Sequence, residues 1–123
     1  MTISREILFI DDEEMTLKIG CLMLKALGHK VTPVLSGYDA LRLLRAHKFD
    51  VVFLDLMMPE IYGLEVLRQI REDKDLDALP VIIQTGVMNK DDLKEARGMG
   101  AADIITKPYN KEILREALNK VLL

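Results

Sequence analysis

Five short apolar runs, evenly spread along the chain, constrain its fold more than any other feature. They are "EILFI" (6–10), "VTPVL" (31–35), "VVFLD" (51–55), "VIIQT" (81–85) and "DIIT" (103–106). Each has the length of a strand. Three of them are nearly continuous in Val, Ile, Leu and Phe. That pattern marks strands covered on both faces, as in a parallel sheet. Pro33 interrupts the second run, and proline cannot donate to a ladder, so this strand belongs at a sheet edge.

Helical periodicity fills the gaps. Residues 14–27 are expected to turn Met15, Ile19, Leu22, Met23, Ala26 and Leu27 inward, with Gly28 as the stop. Ser36, with Asp39 three residues on, starts a second helix whose stripe is Ala40, Leu41 and Leu44. Residues 63–72 carry Leu64, Leu67 and Ile70. Asn89 starts a fourth helix with a thin apolar face, Leu93 and Ala96. Asn110 caps a fifth, with Ile113, Leu114, Ala117, Leu118 and Val121 expected to face inward. The polar stretch "REDKDLDALP" (71–80) reads as a helix end and loop. The order βαβαβαβαβα predicts an α/β, doubly wound, five-stranded parallel sheet with helices on both faces. An edge position for the second strand suits the strand order 2-1-3-4-5.

The chain has 123 residues, which fits a single domain over 1–123 with a real core. The net charge of −3 argues against nucleic acid as a direct partner. The single cysteine, Cys21, permits no internal disulfide and reads as a small core residue. No apolar run approaches the ~18 residues of a membrane span, and the N-terminus does not read as a signal peptide. The expected location is cytoplasmic.

In doubly wound sheets, ligands bind beyond the carboxyl ends of the strands. Strand 1 ends in Asp11-Asp12, followed by Glu13-Glu14; strand 3 ends in Asp55; strand 4 ends in Thr85-Gly86; strand 5 leads into Lys107-Pro108. Adjacent strands would gather three carboxylates, a hydroxyl and an ammonium in one cleft. Carboxylates that close repel one another unless a cation intervenes. An oxygen-rich set with no His or Cys suits Mg²⁺ better than zinc. The cleft offers no Ser–His or Cys–His pair, since His29 and His47 fall near helix ends. A carboxylate can itself be a nucleophile and form an aspartyl-phosphate. Phosphoryl transfer asks mainly for positioning and charge stabilisation. Lys107 and the metal would neutralise phosphoryl oxygens, Thr85 would donate a hydrogen bond, and Gly86 would leave room for the group. Simpler roles exist for each residue alone. Asp11 to Glu14 suit a helix N-terminus, Thr85 a strand end, and Lys107-Pro108 a turn.

Taken together, "ILFIDDEE", "DVVFLDLMMPEIYG", "VIIQTG" and "GAADIITKPY" resemble the two-component response-regulator receiver domain, over about residues 4–122. The resemblance implies a flavodoxin-like (βα)5 fold and a phosphorelay role. Asp55 matches the phospho-acceptor, Asp12 the direct Mg²⁺ ligand and Asp11 the acid that binds it through water. Met57 would lend a backbone carbonyl to the metal. Thr85 matches the switch hydroxyl and Lys107 the lysine that pairs with the phosphoryl group, with a cis bond expected before Pro108. Implied partners are a sensor histidine kinase or phosphotransfer protein, and a downstream protein reached through helix 4, strand 5 and helix 5. The family also accommodates homodimers. The protein would catalyse transfer to its own Asp55 and not turn over as an enzyme.

Ile104 departs from the family, which usually has Tyr or Phe there as the rotamer-switching partner of the Thr. Signal output is then expected through the β4–α4 loop and helix 4. The family implies that the positions of Met57 and Val87 govern water access to the phosphoryl group. Both are apolar here, so slow loss of phosphate is expected. Two rival readings differ from this one. Ile104 alone favours an interaction module that is never phosphorylated. A flavin-binding flavodoxin conflicts with the anion-repelling "DDEE" loop.

Overall fold

The computed structural model describes residues 3–86 and 90–122. Among these, strands β1 (Glu6–Ile10), β2 (Lys30–Val34), β3 (Val51–Asp55), β4 (Val81–Thr85) and β5 (Asp103–Thr106) alternate with helices α1 (Glu14–Ala26), α2 (Gly37–Ala46), α3 (Gly63–Glu72), α4 (Lys90–Gly98) and α5 (Lys111–Leu122). The expected helix start at Asn89 lies outside the described residues. All pairings are parallel and the order is β2-β1-β3-β4-β5, as the sequence predicts. β3 and β4 are buried along their whole length, which explains their continuous apolar runs. Pro33 sits in edge strand β2.

Two apolar layers cover the sheet. One packs α2, α3 and α4 through Ala40, Leu41, Leu44, Val66, Leu67, Ile70, Leu93 and Ala96. The other packs α1 and α5 through Leu17, Cys21, Leu24, Leu114, Ala117 and Leu118, over Phe9 and Phe53 stacked at 5.6 Å. Caps follow the sequence. The Ser36 hydroxyl accepts from the Asp39 N–H at 3.1 Å, and Asn110 Oδ1 accepts from the Ile113 N–H at 2.9 Å. Gly28, at φ 96°, ends α1 in the left-handed region.

The inward face of α1 is only partly the expected one: Met23 and Leu27 pack against the α1/α5 layer, and the rest of the expected stripe does not. Met15, Ile19 and Leu22 are 69%, 47% and 64% exposed, and Ala26 is exposed too. Leu17, Gly20, Cys21 and Leu24 face the sheet instead. Gly20 shows the reason, because a Cβ there would lie 2.3 Å from Phe9 Cζ. The helix packs closely enough on Phe9 that only the face with the small residues fits. Ile113 likewise lies at the surface of α5, 38% exposed, while Leu114 is buried.

Candidate functional site

The carboxyl ends of β1, β3, β4 and β5 meet because β3 is flanked by β1 and β4, and β4 by β5. Asp55 ends β3, and Asp11 and Asp12 follow β1 directly. One oxygen from each of the three carboxylates lies within 4.8 Å of the others. Asp11 is fully buried, Asp55 is 4% exposed, and Asp12 is half-buried.

Lys107 enters this cluster from the β5–α5 loop. Its ammonium donates to Asp11 Oδ2 at 2.7 Å and to Asp55 Oδ2 at 3.4 Å. Thr85 is buried at the end of β4, and its carbonyl accepts the Lys107 N–H at 2.9 Å. That bond joins two of the expected site residues through the backbone. The Lys107–Pro108 bond is cis, as the resemblance implies. Asp11 does more than complement a helix end: Oδ1 accepts from the Glu13 N–H at 3.0 Å, while Oδ2 faces Lys107. Gly86 is exposed, and a Cβ there would meet nothing closer than Lys107 Cβ at 3.9 Å. Packing in this structure therefore does not require glycine at that position.

The electrostatics reflect crowded acid. Burial and the neighbouring Asp11 charge push the Asp55 carboxyl up to about 6, against the pull of Lys107 and the Met57 N–H, which donates to Asp55 Oδ1 at 3.3 Å. Burial works against the Lys107 ammonium, but its bonds and charge pairing with Asp11 and Asp55 outweigh it and hold it above the ordinary lysine value. Lys107 pairs with Asp11 and Asp55, and Asp12 adds a third carboxylate to the group, an oxygen-rich set short of positive charge among the described residues. Such a set fits a hard dication.

Met57 lies beside Asp55 with its side chain 47% exposed. Val87 lies outside the described residues. Ile104 is half-buried in β5, paired in register with Ile83 and packed against the α2/α3/α4 layer. Cys21 is buried in the other layer, and burial pushes its thiol up, as suits a structural residue.

Three features of the site escaped the sequence reading. Gly63 is one: its N–H donates to the Leu56 carbonyl at 2.9 Å, and a Cβ would lie 2.2 Å from the Asp55 carbonyl oxygen. The start of α3 thus rests directly on the backbone that carries Asp55. Glu60 is another, a non-glycine residue at φ 69° in the loop after Asp55. The third is Gln84, fully buried, whose Nε2 donates to the Ile10 carbonyl at 3.4 Å and whose Oε1 accepts from the Tyr109 hydroxyl. Gln84 was visible in principle as the amide inside "VIIQT", since a buried amide requires partners.

Comparison with known proteins agrees with this geometry. The family model for the response regulator receiver domain matches residues 7–119. Protein PilH of Pseudomonas aeruginosa is 36% identical over 116 residues, covering 94% of this chain and 96% of that one. The polar-differentiation response regulator DivK of Brucella ovis is 29% identical over 119 residues, covering 97% of each chain. Among solved structures, the chemotaxis response regulator CheY4 of Vibrio cholerae superposes with a TM-score of 0.89 at 25% identity, covering 97% of this chain and 99% of that one. The receiver domain of the sensor histidine kinase PA1611 of Pseudomonas aeruginosa, which has a magnesium ion coordinated in its active-site cleft, superposes with a TM-score of 0.87 at 25% identity, covering 98% and 100%. No helix among the described residues is long and apolar enough to cross a membrane. The chain belongs to the response regulator receiver domain family and serves two-component signalling.

Proposed function

We propose that Asp55 accepts a phosphoryl group from the phosphohistidine of a sensor histidine kinase or phosphotransfer protein. The observation that carries this reading is the grouping of Asp11, Asp12 and Asp55 within 4.8 Å, with Lys107 bonded to both buried members. An Asp55 oxygen attacks phosphorus, a P–O bond forms, and the P–N bond to the donor imidazole breaks. Asp11, Asp12, Asp55 and the Met57 carbonyl would hold Mg²⁺, which supplies positive charge for the phosphoryl oxygens when bound. Lys107 pairs with the same oxygens, Thr85 donates a hydrogen bond to them, and the open space at Gly86 admits the group. The protein modifies itself and does not turn over as an enzyme. The apolar surface formed by Met15, Ile19 and Leu22 lies on the helix that begins at the cleft, where a protein donor would cover it.

Phosphorylation brings a charge of about −1.5 to −2 to the end of β3. Thr85 and Lys107 move toward it and shift the surface of α4, β5 and α5 that a downstream protein reads. Ile104 has no ring to rotate, so output relies on the β4–α4 connection and α4, whose buried anchors are only Leu93 and Ala96. Incubation with acetyl phosphate and Mg²⁺, followed by intact mass, tests the acceptor. One phosphoryl adduct is expected, absent in Asp55→Asn. No adduct with any donor would favour the alternative that Ile104 motivates, an interaction module that is never phosphorylated.

A further inference from the structure

The polar chain behind the acidic cleft has a chemistry that fixes its own orientation. A backbone carbonyl only accepts, so the Gln84 amide nitrogen must face Ile10. The Gln84 oxygen then faces Tyr109 and, because it too only accepts, the phenol must donate. Burial and the Asp11 and Asp55 charges raise the phenol's pKa further, so it keeps its proton. The chain Tyr109–Gln84–Ile10 has one arrangement.

Its three anchors stand next to the site. Ile10 precedes Asp11, Gln84 precedes Thr85, and Tyr109 follows Lys107 by two residues. Gln84 is also in register with Asp55 on the adjacent strand. The chain therefore ties the end of β1, the end of β4 and the β5–α5 loop into one unit. Lys107 is the site residue that gains most, because it comes from a loop and must hold its ammonium between Asp11 and Asp55. The Tyr109 ring packs in the α1/α5 layer, but ring packing alone does not fix depth or rotation. The hydroxyl bond to a fully buried amide does.

We infer that Tyr109 and Gln84 are positioning residues for the phosphoryl-acceptor site, holding the β5–α5 loop so that Lys107 bridges Asp11 and Asp55. This rests on the acceptor reading above for its catalytic consequence, and on the geometry alone for the placement of Lys107.

The test compares wild type with Tyr109→Phe and with Tyr109→Phe/Gln84→Met. Three quantities are followed: melting temperature, the rate of Asp55 phosphorylation by acetyl phosphate with Mg²⁺, and the side-chain ammonium signal of Lys107 in ¹⁵N NMR. Tyr109→Phe leaves a buried amide oxygen unpaired, and its melting temperature falls by on the order of 5 °C. The double variant replaces both polar partners with apolar groups of similar shape and regains most of that loss. Phosphorylation remains about tenfold slower in both variants, since loosely placed groups lose rate steeply. The Lys107 signal weakens in both through faster exchange. A double variant that regains wild-type rate and ammonium signal along with its stability would show a purely structural pair and overturn the inference. Unchanged rate and signal in Tyr109→Phe would do so as well. If wild type itself takes up no phosphoryl group, the acceptor reading falls, and the Lys107 signal alone decides this one: weakened in the double variant it stands, unchanged it fails.

Discussion

Replacing Asp55 by Asn should make the metal-free protein more stable at neutral pH and not at acid pH. The Asp55 carboxyl is raised from 3.8 to about 6, first by burial and second by Asp11. The folded state thus holds the proton up to about pH 6, while the unfolded chain releases it near 3.8. Between those values the folded state binds more protons, so the stability contributed by this group falls as pH rises through the window. Each pKa unit corresponds to about 1.4 kcal/mol, so ionised Asp55 costs the fold about 3 kcal/mol once the pH is well above 6. Asn keeps an oxygen for the Met57 N–H and carries no charge at any pH. Urea or thermal unfolding of both proteins from pH 4 to pH 8, without divalent metal, gives the measurement. The stability difference should be close to zero at the acid end and grow to about 3 kcal/mol, roughly 10 °C in melting temperature, at the basic end. Added Mg²⁺ should narrow it, because ligand binding stabilises the wild type more. A difference that stays flat across the range, or an Asn variant less stable at pH 8, would refute the argument that the cleft holds surplus negative charge.

Other perturbations follow from the same geometry. Gly63→Ala puts a methyl group 2.2 Å from the Asp55 carbonyl oxygen and 2.7 Å from Leu56 Cα. Both are backbone atoms, so a loss of about 2 kcal/mol or more is expected in denaturant unfolding, with slower phosphorylation of Asp55. Glu60→Gly removes the side chain from a left-handed position, and unfolding should show a gain of up to about 1 kcal/mol. Met57→Asn places a group that can orient water beside Asp55, so a time course of phosphate loss should run faster than in wild type; equal rates would count against control of water access at this position.

The strands and their places in the sheet follow from the chain's apolar pattern. Continuous apolar runs require cover on both faces, and Val51 to Leu54 and Val81 to Ile83 are indeed fully buried. Pro33 dictated an edge, since a missing N–H cannot be placed in a ladder, and β2 is an edge strand. The acidic cleft was legible because side chains at the ends of adjacent parallel strands must converge. Asp11, Asp12, Asp55 and Lys107 lie together for that reason. Tertiary structure decided what depends on distance between elements. α1 carries two apolar stripes, and the one with the bulkier side chains, Met15, Ile19 and Leu22, is exposed. Periodicity counts hydrophobic residues, but the close approach of Gly20 to Phe9 selected the face with the smaller side chains. The same holds for Gly63 against the Asp55 backbone and for the Tyr109–Gln84 bond. Each joins residues of different elements, at spacings that no local pattern encodes and that only the packed fold brings within contact.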